Sequence, residues 1–204
     1  MKMKKRAIVA VMLVVVTLFT ACGNSAPTME TPKGAVTIFN DALKKFDFET
    51  MSKCTVDDSF DPKSLEELNN SAPGILDFFK EYAAQITGEI KEEKIDGDKA
   101  TVSVNYKYKD CAEVMKATIT SLMSKAFEMY SKGEDVEDEA TAKKLLKECH
   151  DAAKKDTKAK DASIELNVSL EKKDGKWYIT ELDEQFAAII TSNALVGIQA
   201  LAQQ

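Results

Sequence analysis

The sequence predicts an α+β fold in which an antiparallel sheet of about four strands is packed by N-terminal helices, a helical pair and a C-terminal helix. Three observations predict it. Apolar residues recur at helical spacing before residue 85, between 110 and 160, and after 183. Two other stretches alternate apolar and polar residues, each around an Asp-Gly turn signal. The resulting order of helices, hairpin, helical pair, hairpin and helix is that of an antiparallel sheet with segregated helices.

The chain has 204 residues, of which 44% are hydrophobic and 30% charged, enough for one domain with a solvated surface. The first 21 residues read as an export leader: Lys2, Lys4, Lys5 and Arg6 form a basic start, and Ala7 to Phe19 is apolar but for Thr17. That run is too short to span a bilayer core, which needs about 20 residues. Residues 22–33 (CGNSAPTMETPK) are small, polar and proline-containing, and read as a tether of roughly 20 Å. Residues 34–204 form a single α+β domain in this reading.

Thr31-Pro32 has the form of an N-cap followed by proline, and Val36, Phe39, Ala42, Leu43 and Phe46 mark the apolar face of a first helix. Asp47 is placed to cap a short helix from Phe48 to Cys54, Asp61-Pro62 to start another, and Ile75 to Ala84 carries Phe78, Phe79 and Tyr82 on one side. Ile86 to Ile95 and Ala100 to Tyr108 flank Asp96-Gly97 as a hairpin; Ile164 to Leu170 and Lys176 to Leu182 flank Asp174-Gly175 as a second. The helical pair occupies 110–160, with Val114, Ile119, Leu122, Ala126 and Met129 on one helix and Leu145, Leu146, Cys149 and Ala153 on the other. Asp183 to Gln204 reads as one C-terminal helix.

Leu18-Phe19-Thr20-Ala21-Cys22 resembles the lipobox of bacterial lipoproteins, with Phe19 where the family usually has leucine. The resemblance implies acylation of Cys22, cleavage before it, and a stable lipid anchor on the extracytoplasmic face of a membrane. The steps "FDFETM", "DGDKATVSVNY" and "EKKDGKWYITEL" resemble small lipoproteins with a nuclear-transport-factor-like fold, many of them domains of unknown function. That fold implies a curved sheet whose concave face holds helices and forms a cone, with 110–160 as an insertion. SnoaL-like enzymes of the superfamily use acidic residues and often a histidine inside the cone. Fold alone does not assign a role, because the cone serves enzymes, binding modules and assembly domains alike.

Removal of the leader's four basic residues from 28 leaves 24 against 34 acidic ones, a net charge of −10. That balance argues against nucleic acid as a partner. No HxxxH, CxxC, GxSxG or glycine-rich phosphate loop is present, so neither a metal nor a cofactor is expected. His150, the only histidine, falls on the charged helical pair and reads as a surface residue. Of the remaining thiols, Cys54 and Cys111 are the better-placed disulfide pair, with buried free thiols the alternative. Tyr106, Tyr108 and Trp177 either rim a ligand pocket or pack in the core. The preferred function is a lipid-anchored, non-enzymatic module whose cone or helical insertion binds a small apolar ligand or another envelope protein. The alternative is a SnoaL-like or hydrolytic enzyme using carboxylates inside the cone. A solute-capturing lipoprotein of a transporter ranks last, for want of two lobes.

Overall fold

The computed structural model describes residues 26–56, 63–136 and 138–202. The leader, Cys22, the first part of the tether and the Asp61-Pro62 helix start lie outside the described residues. The elements are α1 (Pro32–Lys45), α2 (Phe48–Lys53), α3 (Lys63–Ser71), α4 (Ile75–Ala83), β1 (Thr87–Asp96), β2 (Lys99–Asp110), α5 (Ala112–Ser131), α6 (Glu139–Asp156), β3 (Lys160–Lys173), β4 (Lys176–Ile179), α7 (Glu184–Ile190) and α8 (Ala194–Ala202). This is the expected α+β class, with a four-stranded, open antiparallel sheet in the order β1-β2-β3-β4.

Local chemistry explains most boundaries. The Thr31 hydroxyl accepts a hydrogen bond from the Gly34 amide at 3.0 Å, and Pro32 occupies the first helical position, so α1 starts where a donor would otherwise be orphaned. Glu93 of β1 adds a carboxylate to this positive helix end, accepting from the Lys33 amide at 3.1 Å. α1 ends at Phe46, a non-glycine residue with φ of 58°. Its left-handed turn is held by the Asp47 amide donating to the Ala42 carbonyl and by the Phe46 ring lying 4.3 Å from that of Phe48. Asp174 and Gly175 both have positive φ, which two-residue hairpins favour because it matches strand twist.

Sheet register puts Ala100, Val102, Val104 and Tyr106 opposite Leu170, Val168, Leu166 and Ile164, so both strands show one apolar face to the helices. The reverse face is polar, with Ser103 donating to Glu165 at 3.0 Å. α1, α4 and α7 bury Val36, Phe39, Leu43, Phe79, Phe186 and Ile189 against the apolar face. The open edge of β4 is covered after α2: the Ile179 amide donates to the Cys54 carbonyl, and the Val56 amide to the Ile179 carbonyl. The folded body begins before residue 34, because the Trp177 amide donates to the Met29 carbonyl at 2.7 Å.

The C-terminal helix is not continuous. It breaks at Thr191–Asn193, where Ser192 and Asn193 have φ of 49° and 62°. The break is fixed by contacts with the β2–α5 junction. The Ser192 carbonyl accepts from the Cys111 amide at 2.9 Å, and the Asn193 side-chain amide donates to Asp110 at 2.8 Å. Beyond the break α8 lies against α5 so closely that a Cβ on Gly197 would sit 2.2 Å from the Ala112 carbonyl oxygen. Gly197→Ala is therefore expected to cost about 1–3 kcal/mol through separation of two backbones that cannot yield locally, read as a lower urea midpoint.

Candidate functional site

Side chains pack the space between α1, α7 and the apolar face of the sheet around Tyr106. Tyr106 is completely buried, its hydroxyl donating to the Asn40 side-chain oxygen at 2.8 Å, and its ring meets Phe186 edge-on. Burial raises the Tyr106 pKa beyond its ordinary range, so the phenol stays neutral. Trp177 is also buried, with the Lys172 ammonium 5.7 Å from its ring. Both belong to the core cluster, the packing alternative of the two that the sequence left open for them. Tyr108 alone of the three is part-exposed, at an open groove of about 340 Å³ beside Gln85, Lys107 and Ala162, where its hydroxyl accepts from Asn193 at 3.3 Å.

Among the described residues no Asp or Glu is buried. Asp77 and Asp151 are held below the usual carboxylate range by Lys143 and Lys147, which donate to them, and Asp47 and Asp138 by the Thr50 and Thr141 donors they cap. A general acid needs the opposite shift.

The thiols are likewise structural. Cys54, Cys111 and Cys149 are all buried and free, so the Cys54–Cys111 pairing does not form. Each has its own environment: Cys54 sits at the β4 edge, while the Cys111 thiol donates to the Ser192 carbonyl at 3.0 Å at the far junction. Burial pushes the Cys54 thiol up to about 11 and, with the Asp110 charge, the Cys111 thiol up to about 12.

His150 is where the sequence reading most needs correction. It is buried, not a surface residue, packed between α6 and α4 with its ring 4.4 Å from that of Phe78. A cleft of about 170 Å³ beside it is lined by Phe78, Leu146, Asp77, Glu81, Lys143 and Asp151. Lys154 binds Glu81 at 3.0 Å and Lys143 binds Asp77 at 2.8 Å, clasping the two helices at either end. The His150 Nδ1 lies 3.8 Å from Glu81, beyond hydrogen-bond reach, and its Nε2 has no partner. Burial first, then the Lys154 charge, lowers its pKa from 6.5, while Glu81 opposes them. The sequence held a signal for this: His150 lies four residues after Leu146 and three before Ala153, on the apolar face of α6.

Among the described residues, the most exposed large apolar side chains lie on α5. Met123, Phe127 and Tyr130 are 65%, 74% and 72% exposed and share one helical face at spacings of four and three. The sequence reading named the core-facing residues of this helix and missed these. An open groove of about 550 Å³ adjoins the stripe, lined by Lys116, Thr120 and Ser124 of α5 and by Thr157. No group of residues suited to hold a metal ion, and no helix long and apolar enough to cross a membrane, occurs among the described residues.

No protein-family model and no curated protein matches the chain. Among solved structures, a candidate lipoprotein (ycdA) of Bacillus subtilis aligns at a TM-score of 0.36 and 20% identity, over 79% of this chain. The chain spans only 46% of that protein's length, and the likeness is too slight to carry an argument about fold or role.

Two outcomes follow from this geometry. A base whose folded pKa is depressed binds its proton less readily than in the unfolded chain, so stability is complete above pH 6.5 and declines as pH falls below it. His150→Leu is expected to flatten that decline, measured as urea midpoints at pH 7.5 and 5. Native protein at pH 8 is expected to resist thiol alkylation, whereas denatured, unreduced protein yields Cys54, Cys111 and Cys149 as free thiols.

Proposed function

We propose that this chain is a lipid-anchored protein of the extracytoplasmic membrane face whose work is docking rather than catalysis, done by the α5–α6 helical pair. One observation carries the docking half: a three-residue apolar stripe stands in water on a protein whose interior is otherwise closed. Apolar residues scattered singly over a surface need no explanation, but Met123, Phe127 and Tyr130 lie on one ridge. The leader and Cys22 support the anchoring half, through chemistry that adds acyl chains worth about 0.8 kcal/mol per buried methylene. We read the fold as a filled member of the nuclear-transport-factor-like cones, in which Phe39, Tyr106 and Phe186 occupy the space that binding members leave open.

The packed interior favours the insertion over the cone as the working surface. A small apolar ligand would have to displace Tyr106 and break its bond to Asn40. The enzyme reading loses its support with the absence of a buried carboxylate among the described residues.

The two halves separate experimentally. Cys22→Ser is expected to move the protein from the membrane fraction to the soluble one; unchanged membrane retention would remove the anchor. Phe127→Ser changes an exposed side chain, so thermal stability should move by less than about 0.5 kcal/mol while partner cross-linking in whole cells is lost. An unaltered cross-linking pattern would remove the docking role.

A further inference from the structure

We infer that the α4–α6 contact is an acid-sensitive latch: protonation of His150 promotes its opening while the sheet and the core around Tyr106 stay folded. The latch is independent of the α5 stripe. His150 reaches across from α6 and lays its ring 4.4 Å from that of Phe78 and 6.1 Å from that of Tyr82, both on α4. Its side chain is 7% exposed, and Nε2 has no hydrogen-bond partner. Nδ1 has the Glu81 carboxylate at 3.8 Å, but that carboxylate is already held by Lys154, which donates to its two oxygens at 3.0 and 3.1 Å.

A neutral imidazole has one N–H to place. An imidazolium has two and carries a charge as well. A charged donor left buried without an acceptor costs more than a neutral group in the same place. The surrounding charges do not compensate. Asp77 and Glu81 of α4 and Lys143, Lys147, Asp151 and Lys154 of α6 line or flank the cleft beside the ring, and the Tyr82 phenol, kept neutral by burial, adds no charge. Glu81 and Asp151 favour the cation, Lys154 and Lys147 oppose it, and burial opposes it most. Water supplies the missing acceptors once the helices part.

This contact parts more easily than the rest of the fold. Its centre is Phe78, Leu146 and His150, and a cleft of about 170 Å³ leaves that centre partly unfilled. Its ends are the Lys143–Asp77 and Lys154–Glu81 pairs, solvated enough to contribute little stability. The core, by contrast, joins α1, α7 and β2 through the edge-on rings of Phe39, Phe186 and Tyr106. Openings of small, loosely filled contacts need less free energy than unfolding of such a core.

The test follows hydrogen exchange of the full chain in detergent at pH 7.5 and 5.5, each amide corrected for its intrinsic rate. Amides of α4 and α6 are expected to be less protected than those of β2 and β3. Their protection is expected to fall several-fold at pH 5.5, with about tenfold as the ceiling for one proton taken up one unit below the ordinary value of 6.5. Low urea should leave their exchange unchanged, because a local opening exposes little surface. Emission from Trp177, the single tryptophan and a buried one, should be the same at both pH values. His150→Leu removes the acid effect, and Lys154→Met, which frees Glu81 to accept from the imidazolium, reduces it. The chain has one histidine, so its ring-proton signals give the midpoint directly: below 6.5 in the parent, higher in Lys154→Met. Protection unchanged by acid overturns the latch. So does exchange of α4 and α6 that matches the strands in level and urea dependence, which marks unfolding of the whole. An acid effect that survives in His150→Leu overturns His150 as its cause; should that variant not fold, an effect unaltered in Lys154→Met overturns the proposal by itself.

Discussion

Phe186 presents its edge to Phe39 and to Tyr106, with ring centroids 5.9 Å away in both cases. Edge-on pairs of this kind contribute about 0.5–1.5 kcal/mol each beyond the area they bury. Through them α7, α1 and β2 become one packed unit, since each ring comes from a different element. The same contact occupies the middle of the space between helices and sheet. The rings fill that space. His150 lies on α6 beside a narrow cleft, and the α5 stripe stands exposed to solvent.

The helical pair is rooted where β2 becomes α5. Asp110 accepts from the Ala112 amide with one carboxylate oxygen and from Asn193 with the other, while Cys111 is bonded to Ser192 through both its amide and its thiol. α8 then braces the first half of α5 through the glycine contact at Ala112. On the other side, α6 is clasped to α4 by two lysine–carboxylate pairs that flank the buried ring of His150. Exposed ion pairs of that kind add little stability individually. Their value is positional: they hold the rim of a contact whose centre, the Phe78 and His150 rings, is apolar.

How much of this was legible varied with how local the cause was. The start of α1 at Thr31-Pro32, the cap at Asp47 and the Asp-Gly turns all depend on residues within a few positions, and they were readable as they stand. The break at Thr191–Asn193 was not, because no glycine or proline marks it and the stretch suits a helix on its own. What selects it is Asp110, more than eighty residues away, supported by the tolerance of asparagine for left-handed backbone. The burial of His150 had the same non-local origin in α4. Tyr106 alternated as a strand residue should, yet whether it faced a ligand or a helix depended on Phe186, supplied by the distant α7. The exposed stripe was not legible for the opposite reason, since periodicity marks apolar faces without saying whether anything covers them.

The helical pair also bears on how the chain finds its fold. Asp110 and Lys160 are register partners in the sheet although fifty positions separate them. A structureless connection of that size would impose the loop-closure entropy of a long coil before any β2–β3 bond formed. A helical hairpin built from local contacts returns its own ends to neighbouring positions, and so shortens the effective loop that the central strand pair must close. On this view the pair of helices acts during folding as a clamp on the two strands it separates, a role independent of the exposed stripe on its surface.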